Sequence, residues 1–227
     1  MIIDAYIQAR MESSRLPGKS NFKFGEKTTL EHTIGQVKKL KDIRKIVLLT
    51  SPNEADNVLE EVAIKNGIEC DRCDPVIDRF INACKKNNPD WFIRVCADSI
   101  FMDVELNNTL IDCISGVGSS FDYIAYNDTK YPSIMGLFCE AVRTEPFIKR
   151  YNAILEHVTY QMYDHSNYLY LNKPLELKET YFRATLDTQD DFVFMNTIYC
   201  TFGRTPTWRE LLAEVKKNHV YRIEDER

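Results

Sequence analysis

The sequence predicts an α/β domain of three layers, α/β/α, around a mostly parallel sheet, and three observations carry the prediction. Short β-branched runs alternate with amphipathic segments, the pattern of successive βαβ units. The first run, Ile2-Ile3-Asp4-Ala5-Tyr6-Ile7, leads straight into a basic loop, Gln8-Ala9-Arg10-Met11-Glu12-Ser13-Ser14-Arg15-Leu16-Pro17-Gly18-Lys19. Two later apolar runs end in Asp98 and Asp187. Ligands of open α/β sheets bind outside the carboxyl ends of the strands, so loop and carboxylates are expected at one edge.

The elements follow in order. A helix is predicted over 29–40, with Leu30, Ile34, Val37 and Leu40 on one face and lysines opposite. Residues 45–50 read as a buried strand, and 54–65 as a helix with Val58, Leu59, Val62 and Ala63 inward, stopped by Asn66-Gly67. A short strand at 68–70 precedes a helix over 76–86 that ends at Asn87-Asn88-Pro89. The strand 91–97 then delivers Asp98, and the helix 103–115 opens on Asp103, a carboxylate favourable at a helix N-terminus. From about 122 to 181 the pattern loses regularity and becomes rich in tyrosine. Strands are expected there at 122–126 and 134–138 and a helix at 154–163, and the stretch reads as a central excursion. A strand at 181–187 and helices at 190–201 and 207–217 complete the pattern. With no internal repeat or Pro/Ser-rich linker, 1–227 is expected to be one domain.

Composition narrows the function. With 44% hydrophobic and 28% charged residues the chain is globular, and no apolar run approaches the ~20 residues that span a bilayer. The first run lacks a basic n-region and continues into Arg10 and Glu12, so no signal peptide, no membrane partner and a cytoplasmic location are expected. A net charge of −5 argues against nucleic acid, which needs a broad basic surface. A mononucleotide needs only a local basic pocket. The seven scattered cysteines suit reduced thiols better than a disulfide framework. Cys70-Asp71-Arg72-Cys73 lacks the second ligand pair of a zinc site and reads as small residues closing a strand.

The first loop holds three cations, Arg10, Arg15 and Lys19, two hydroxyls, Ser13 and Ser14, and the turn Pro17-Gly18, the groups that wrap a polyphosphate with charge and backbone N–H donors. Its alternative is a solvated basic loop. Asp98 and Asp187, facing a triphosphate across a sheet edge, could hold Mg²⁺, which takes one or two carboxylates together with phosphate oxygens and water. Their alternative is to cap the helices behind them.

Ala9-Arg10, Ser13-Ser14-Arg15 and Leu16-Pro17-Gly18-Lys19 resemble the opening signature of cytidylyltransferases that make CMP-activated surface sugars, most closely the spore-coat polysaccharide biosynthesis F type. Acylneuraminate and 3-deoxy-manno-octulosonate cytidylyltransferases are more distant relatives. The resemblance implies a nucleotide-diphospho-sugar transferase-like, Rossmann-like fold in which Ala9, Arg10, Ser13, Ser14, Arg15, Gly18 and Lys19 hold the phosphates of CTP. Arg94-Val95-Cys96-Ala97-Asp98 and Arg183-Ala184-Thr185-Leu186-Asp187 resemble the segments that supply the acidic metal ligands. Asp74-Pro75-Val76-Ile77-Asp78-Arg79 resembles the loop beside the nucleotide, which implies an Arg79 contact positioned by Asp78. Glu156-His157-Val158-Thr159 resembles a segment of the acceptor half, where Glu156, His157 and Arg183 are placed. The chain departs from the pattern at Glu12 and Ala97, where the family favours glycine, and at Ser99-Ile100, where it has a small residue and proline.

The reaction implied is attack of an acceptor oxygen on the α-phosphorus of CTP, with Arg15, Lys19, Asp98 and Asp187 as candidate catalytic residues. The partners implied are CTP, a small-molecule acceptor and a second copy of the chain in a homodimer, with the tyrosines of the middle at an acceptor pocket or the interface. Two other classes are weighed. A glycosyltransferase using a nucleotide sugar would carry an Asp-x-Asp pair after a central strand, whereas Asp98 is followed by Ser-Ile-Phe-Met-Asp. A non-catalytic nucleotide-binding protein would explain the departures but not the retained Arg15, Lys19, Asp98 and Asp187.

Overall fold

The computed structural model describes residues 1–126, 134–150, 158–159, 162, 167–178 and 182–217. In chain order its strands are β1 (Ile3–Gln8), β2 (Lys23–Phe24), β3 (Lys27–Thr28), β4 (Ile43–Thr50), β5 (Glu69–Arg72), β6 (Trp91–Cys96), β7 (Tyr123–Tyr126), β8 (Ile134–Met135), β9 (Glu140–Arg143), β10 (Tyr168–Leu171) and β11 (Phe182–Arg183). The helices are α1 (Thr29–Val37), α2 (Asn57–Lys65), α3 (Val76–Asn87), α4 (Val104–Val117), α5 (Thr144–Lys149), α6 (Leu175–Lys178), α7 (Gln189–Phe202) and α8 (Trp208–Lys217), with 3-10 turns at Lys19–Asn21 and Glu54–Asp56.

Seven strands make the middle layer, in the order β10-β7-β9-β6-β1-β4-β5, all parallel except β9. Strands buried on both faces read as continuous apolar runs, which is why β1, β4 and β6 were legible. Ala5, Ile7, Leu48, Ile93 and Val95 pack with α1, α2, α4, α7 and α8 on one face, while Tyr6, Val47, Leu49 and Phe92 pack with α3 and α5 on the other. The α/β/α layering expected from the sequence is present.

Local chemistry sets the boundaries. A capping box between Thr28 and Glu31 starts α1, and left-handed Asn88 and Gly67 end α3 and the turn after α2. All seven cysteines are free thiols. The fold places a site because β1 lies between β4 and β6: the chain builds outward through β4 and β5, then crosses to the other flank of β1. Such a switch opens a crevice at the carboxyl ends of the two strands beside it. Gln8 at the end of β1 is in register with Cys96 at the end of β6, and Ala97 N–H donates to the Gln8 carbonyl at 3.0 Å.

The second half departs from expectation. β9, α5 and β10 were not predicted; β9 and β10 with β7 extend the sheet inside the stretch read as an excursion. β9 is four residues long with one apolar pair, Ala141-Val142, too short to show a period. The strand expected at 134–138 is only the two-residue β8, because Gly136 turns the chain at φ +95°. The strand expected at 181–187 does not join the main sheet: β11 pairs with β8 alone. Its apolar run is accounted for by Phe182, Ala184 and Leu186, all buried in the larger core. The helix expected at 154–163 falls mostly outside the described residues. Tyr126 is buried and donates to the Leu106 carbonyl at 2.8 Å, so it serves the core and not a pocket.

Candidate active site

The loop after β1 closes on itself through its backbone. Gly18 N–H donates to the Met11 carbonyl at 2.8 Å, Ser13 N–H to the same carbonyl at 3.1 Å, and Ser20 Oγ to the Arg10 carbonyl at 3.2 Å. Gly18 sits at φ +76°, a conformation that favours glycine, and it starts the turn that presents Lys19. Leu16 and Ala9 are buried beneath, while Arg10, Ser14 and Arg15 face outward. Ser13 Oγ accepts from Leu16 N–H at 3.4 Å, so this hydroxyl shapes the turn.

A residue not singled out in the sequence fastens the loop. Buried Asp56 accepts Met11 N–H at 2.7 Å on one oxygen, and on the other Thr50 Oγ1 at 2.8 Å, Ser51 N–H at 3.1 Å and Ser51 Oγ at 2.5 Å. Burial pushes its carboxyl up, but these donors prevail and hold it below the ordinary range. The sequence pattern places Asp56 only within the helix expected at 54–65; its one signal was the Thr50-Ser51 hydroxyl pair six and five residues earlier.

Asp98 stands in the turn after β6, whose Ala97 carbonyl accepts Thr33 Oγ1 at 2.8 Å. Asp187 arrives from the other side, where Leu186 N–H donates to the Asp98 carbonyl at 3.0 Å and Ala184 N–H to the Met135 carbonyl at 2.8 Å. Lys19 Nζ lies between the two carboxylates, 2.6 Å from Asp98 Oδ2 and 2.8 Å from Asp187 Oδ1, and Arg15 Nη2 is 2.9 Å from Asp187 Oδ1. Burial would lower the Lys19 pKa, yet its two carboxylate partners raise it above the ordinary lysine value. Burial would likewise raise Asp187, and Lys19, Arg15 and Arg183 bring it below the ordinary range.

Neither aspartate caps a helix. Asp103 caps α4, accepting from Leu106 N–H at 3.0 Å, and Thr188 caps α7 in a capping box with Asp191. The four expected residues Arg15, Lys19, Asp98 and Asp187 therefore converge, with both carboxylates turned to the crevice. Asp191 holds the last of them, accepting Asp187 N–H at 3.0 Å and Thr188 N–H at 2.7 Å. Arg183 donates to both oxygens of Asp191 at 3.0 Å, so it braces this support. Asp98 and Asp187 are hard oxygen donors that flank one ammonium, and their donor type is the one Mg²⁺ takes together with phosphate oxygens and water. Among the described residues no group of three or more His, Cys, Asp or Glu could hold a metal ion, so a cation at this pair would take its other ligands from phosphate and water.

The remaining candidates are placed as follows. Arg79 is buried, donates from Nε to the Cys73 carbonyl at 2.6 Å and pairs with Asp74, and so pins the loop at the end of β5. Asp78 lies half-buried in the first turn of α3. Glu12 accepts Asn53 Nδ2 at 3.1 Å, which turns its charge toward the loop after β4. Glu156 and His157 lie outside the described residues. Thr159 of the same motif puts its Oγ1 3.1 and 3.2 Å from the two oxygens of Glu140, a residue the sequence reading missed. Glu140 also receives Tyr123 Oη at 2.5 Å and Arg94 Nη1 at 2.6 Å, and Arg94 Nη2 reaches Gln8 Oε1 at 3.3 Å. This polar row runs from β7 and β9 across β6 to β1.

Comparison with known proteins bears on the fold and the family. The SpsF spore coat polysaccharide biosynthesis protein of Bacillus subtilis is 30% identical over 93% of both chains. A cytidylyltransferase structure from Leptospira borgpetersenii superposes with a TM-score of 0.87 over 100% of both chains at 23% identity. A CMP:2-keto-3-deoxy-manno-octonic acid synthetase in complex with CTP gives 0.65 over 89% of this chain and 100% of its own, at 14% identity. The cytidylyltransferase family profile matches residues 5–226, and the chain belongs to that family of CMP-transferring enzymes.

Proposed function

We propose that the protein transfers CMP from CTP to a sugar, sugar acid or phosphorylated small-molecule acceptor for surface-glycan synthesis, and that it depends on Mg²⁺. The observation that carries the reading is the meeting of Lys19, Arg15, Asp98 and Asp187 at the mouth of a closed, glycine-turned loop. The names of SpsF and of the octonic acid synthetase support the acceptor class.

Catalysis here is positioning and charge stabilisation. The loop from Ala9 to Lys19 receives the triphosphate, with Arg10, Ser13, Ser14 and Gly18 fixing it and Arg79 bracing the neighbouring loop. An acceptor oxygen attacks the α-phosphorus and forms the new P–O bond while the bond to the β-phosphate oxygen breaks. Arg15 and Lys19 stabilise the charge gathering on the departing pyrophosphate. Asp98 and Asp187 would hold Mg²⁺, which supplies Lewis-acid stabilisation of the phosphate oxygens. On the acceptor side the row Gln8, Arg94, Glu140 and Thr159 supplies donors and acceptors for hydroxyls, and the family resemblance adds Glu156 and His157.

Strand β10, an edge of the sheet among the described residues with Tyr168 48% exposed, supports a homodimer, since an edge strand tends to pair. A cytoplasmic location fits the substrates, and no helix among the described residues is long and apolar enough to cross a membrane. The deciding experiment measures pyrophosphate release from CTP, UTP and ATP with acidic and phosphorylated sugars. CTP-selective, Mg²⁺-dependent release is expected; no release from CTP with any acceptor, and no thermal shift with CTP, overturns the reading.

A further inference from the structure

Lys19 and a divalent cation have claims on the same two oxygens. The ammonium is within 2.8 Å of both carboxylates and its side chain is only 14% exposed. Asp187 is aimed without its help, and Asp98 Oδ1, the oxygen away from Lys19, accepts Ser99 Oγ at 3.5 Å. Asp187 accepts Thr185 Oγ1 at 3.2 Å on its other oxygen, its N–H is held by Asp191, and Leu186 ties its segment to the Asp98 carbonyl. Taking the ammonium away leaves two oriented hard oxygen donors, the kind that Mg²⁺ and Mn²⁺ accept. The backbone bearing Lys19 is set by Gly18 and Ser20, so the ammonium leaves by swinging its four-carbon stem. Arg15, 54% exposed, is free to leave Asp187 in the same way.

We infer that Lys19 is the resident counter-cation of the nucleotide-free enzyme, keeping divalent metal off Asp98 and Asp187 until a triphosphate draws the ammonium away. This rests on the metal-binding reading of the two aspartates. A triphosphate seated in the loop offers Lys19 and Arg15 a more highly charged partner, and its oxygens complete the coordination that two carboxylates begin. The two ligands then bind with positive, reciprocal coupling. Metal enters with or after nucleotide, and excess Mg²⁺ alone does not load the enzyme.

The test titrates the purified full-length protein, without nucleotide, against Mn²⁺ and reads the paramagnetic resonance of the free ion. Lys19→Met is expected to bind Mn²⁺ at least about tenfold more tightly than wild type, within the usual range of such couplings, and Lys19→Met/Asp98→Asn to lose the gain. Wild type binding Mn²⁺ as tightly as Lys19→Met overturns the inference. If neither binds, the inference falls together with the metal assignment, while CMP transfer is judged separately by pyrophosphate release. A melting curve accompanies each variant, with Lys19→Gln replacing a variant that does not fold. Tight Mn²⁺ binding to nucleotide-free wild type is decisive against the inference on its own.

Discussion

The loop after β1 and the segment 182–188 bring their side chains to one point by different means. The loop is closed by its own backbone and clamped from below by Asp56, which takes four hydrogen bonds. The segment is a two-residue strand outside the main sheet, tied by single backbone bonds to Met135 and Asp98 and steadied by Asp191. A cradle for a multiply charged ligand needs many fixed donors, whereas a single carboxylate needs only one well-aimed attachment. The loop proposed to take the phosphates is therefore built redundantly, and the acidic side depends on a few contacts.

The largest effect should come from the group both regions share. Lys19→Ala is expected to reduce pyrophosphate release roughly 10²–10³-fold, the usual cost of one preorganised charge-stabilising donor, and an unchanged rate would separate the two regions functionally. Gly136→Ala comes next. A Cβ there would collide with the Ala184 carbonyl at a left-handed φ, so a loss of about 1–3 kcal/mol in unfolding free energy is expected, with turnover falling as Asp187 shifts. Wild-type stability in this variant would mean the segment is held by packing alone.

Asp56→Asn tests the redundant side. It should cost about 1–3 kcal/mol by leaving buried donors poorly matched, and raise KM for CTP more than it lowers kcat. Because the folded carboxyl lies below its ordinary value of 3.8, its stabilisation is complete above that pH and lost as pH falls further. The melting difference between wild type and Asp56→Asn should therefore shrink below about pH 4. The smallest effect on stability belongs to Arg15→Ala, about 0–1 kcal/mol because the guanidinium is half exposed. Its KM for CTP should still rise, and a large drop in melting temperature would show the exposed pair to be structural.

The first half was legible because its strands are continuous apolar runs and its helices carry clear periodicity and stops, as at Asn66-Gly67 and Asn88. Position also led to Arg15, Lys19 and Asp98, since the switch beside β1 gathers whatever follows β1 and β6. Asp187 was found at the right edge for the wrong reason: Phe182, Ala184 and Leu186 mimic a sheet strand while packing on the core from outside the sheet. Glu140 and Asp56 were not legible, because their roles arise from partners 17 to 46 residues away for Glu140 and, for Asp56, from Met11 at a separation of 45.

The reversed direction of β9 has its own consequence. β7 ends, and β9 begins, at the crevice edge, so the connection 127–139 leaves and re-enters the sheet on that side. It carries β8, which pairs with β11, and Met135, whose carbonyl ties Ala184, so a change of length at β8 would move the segment that bears Asp187. One connection thus borders the crevice and also positions one of its two carboxylates, so a change made there for a new acceptor would be felt at Asp187.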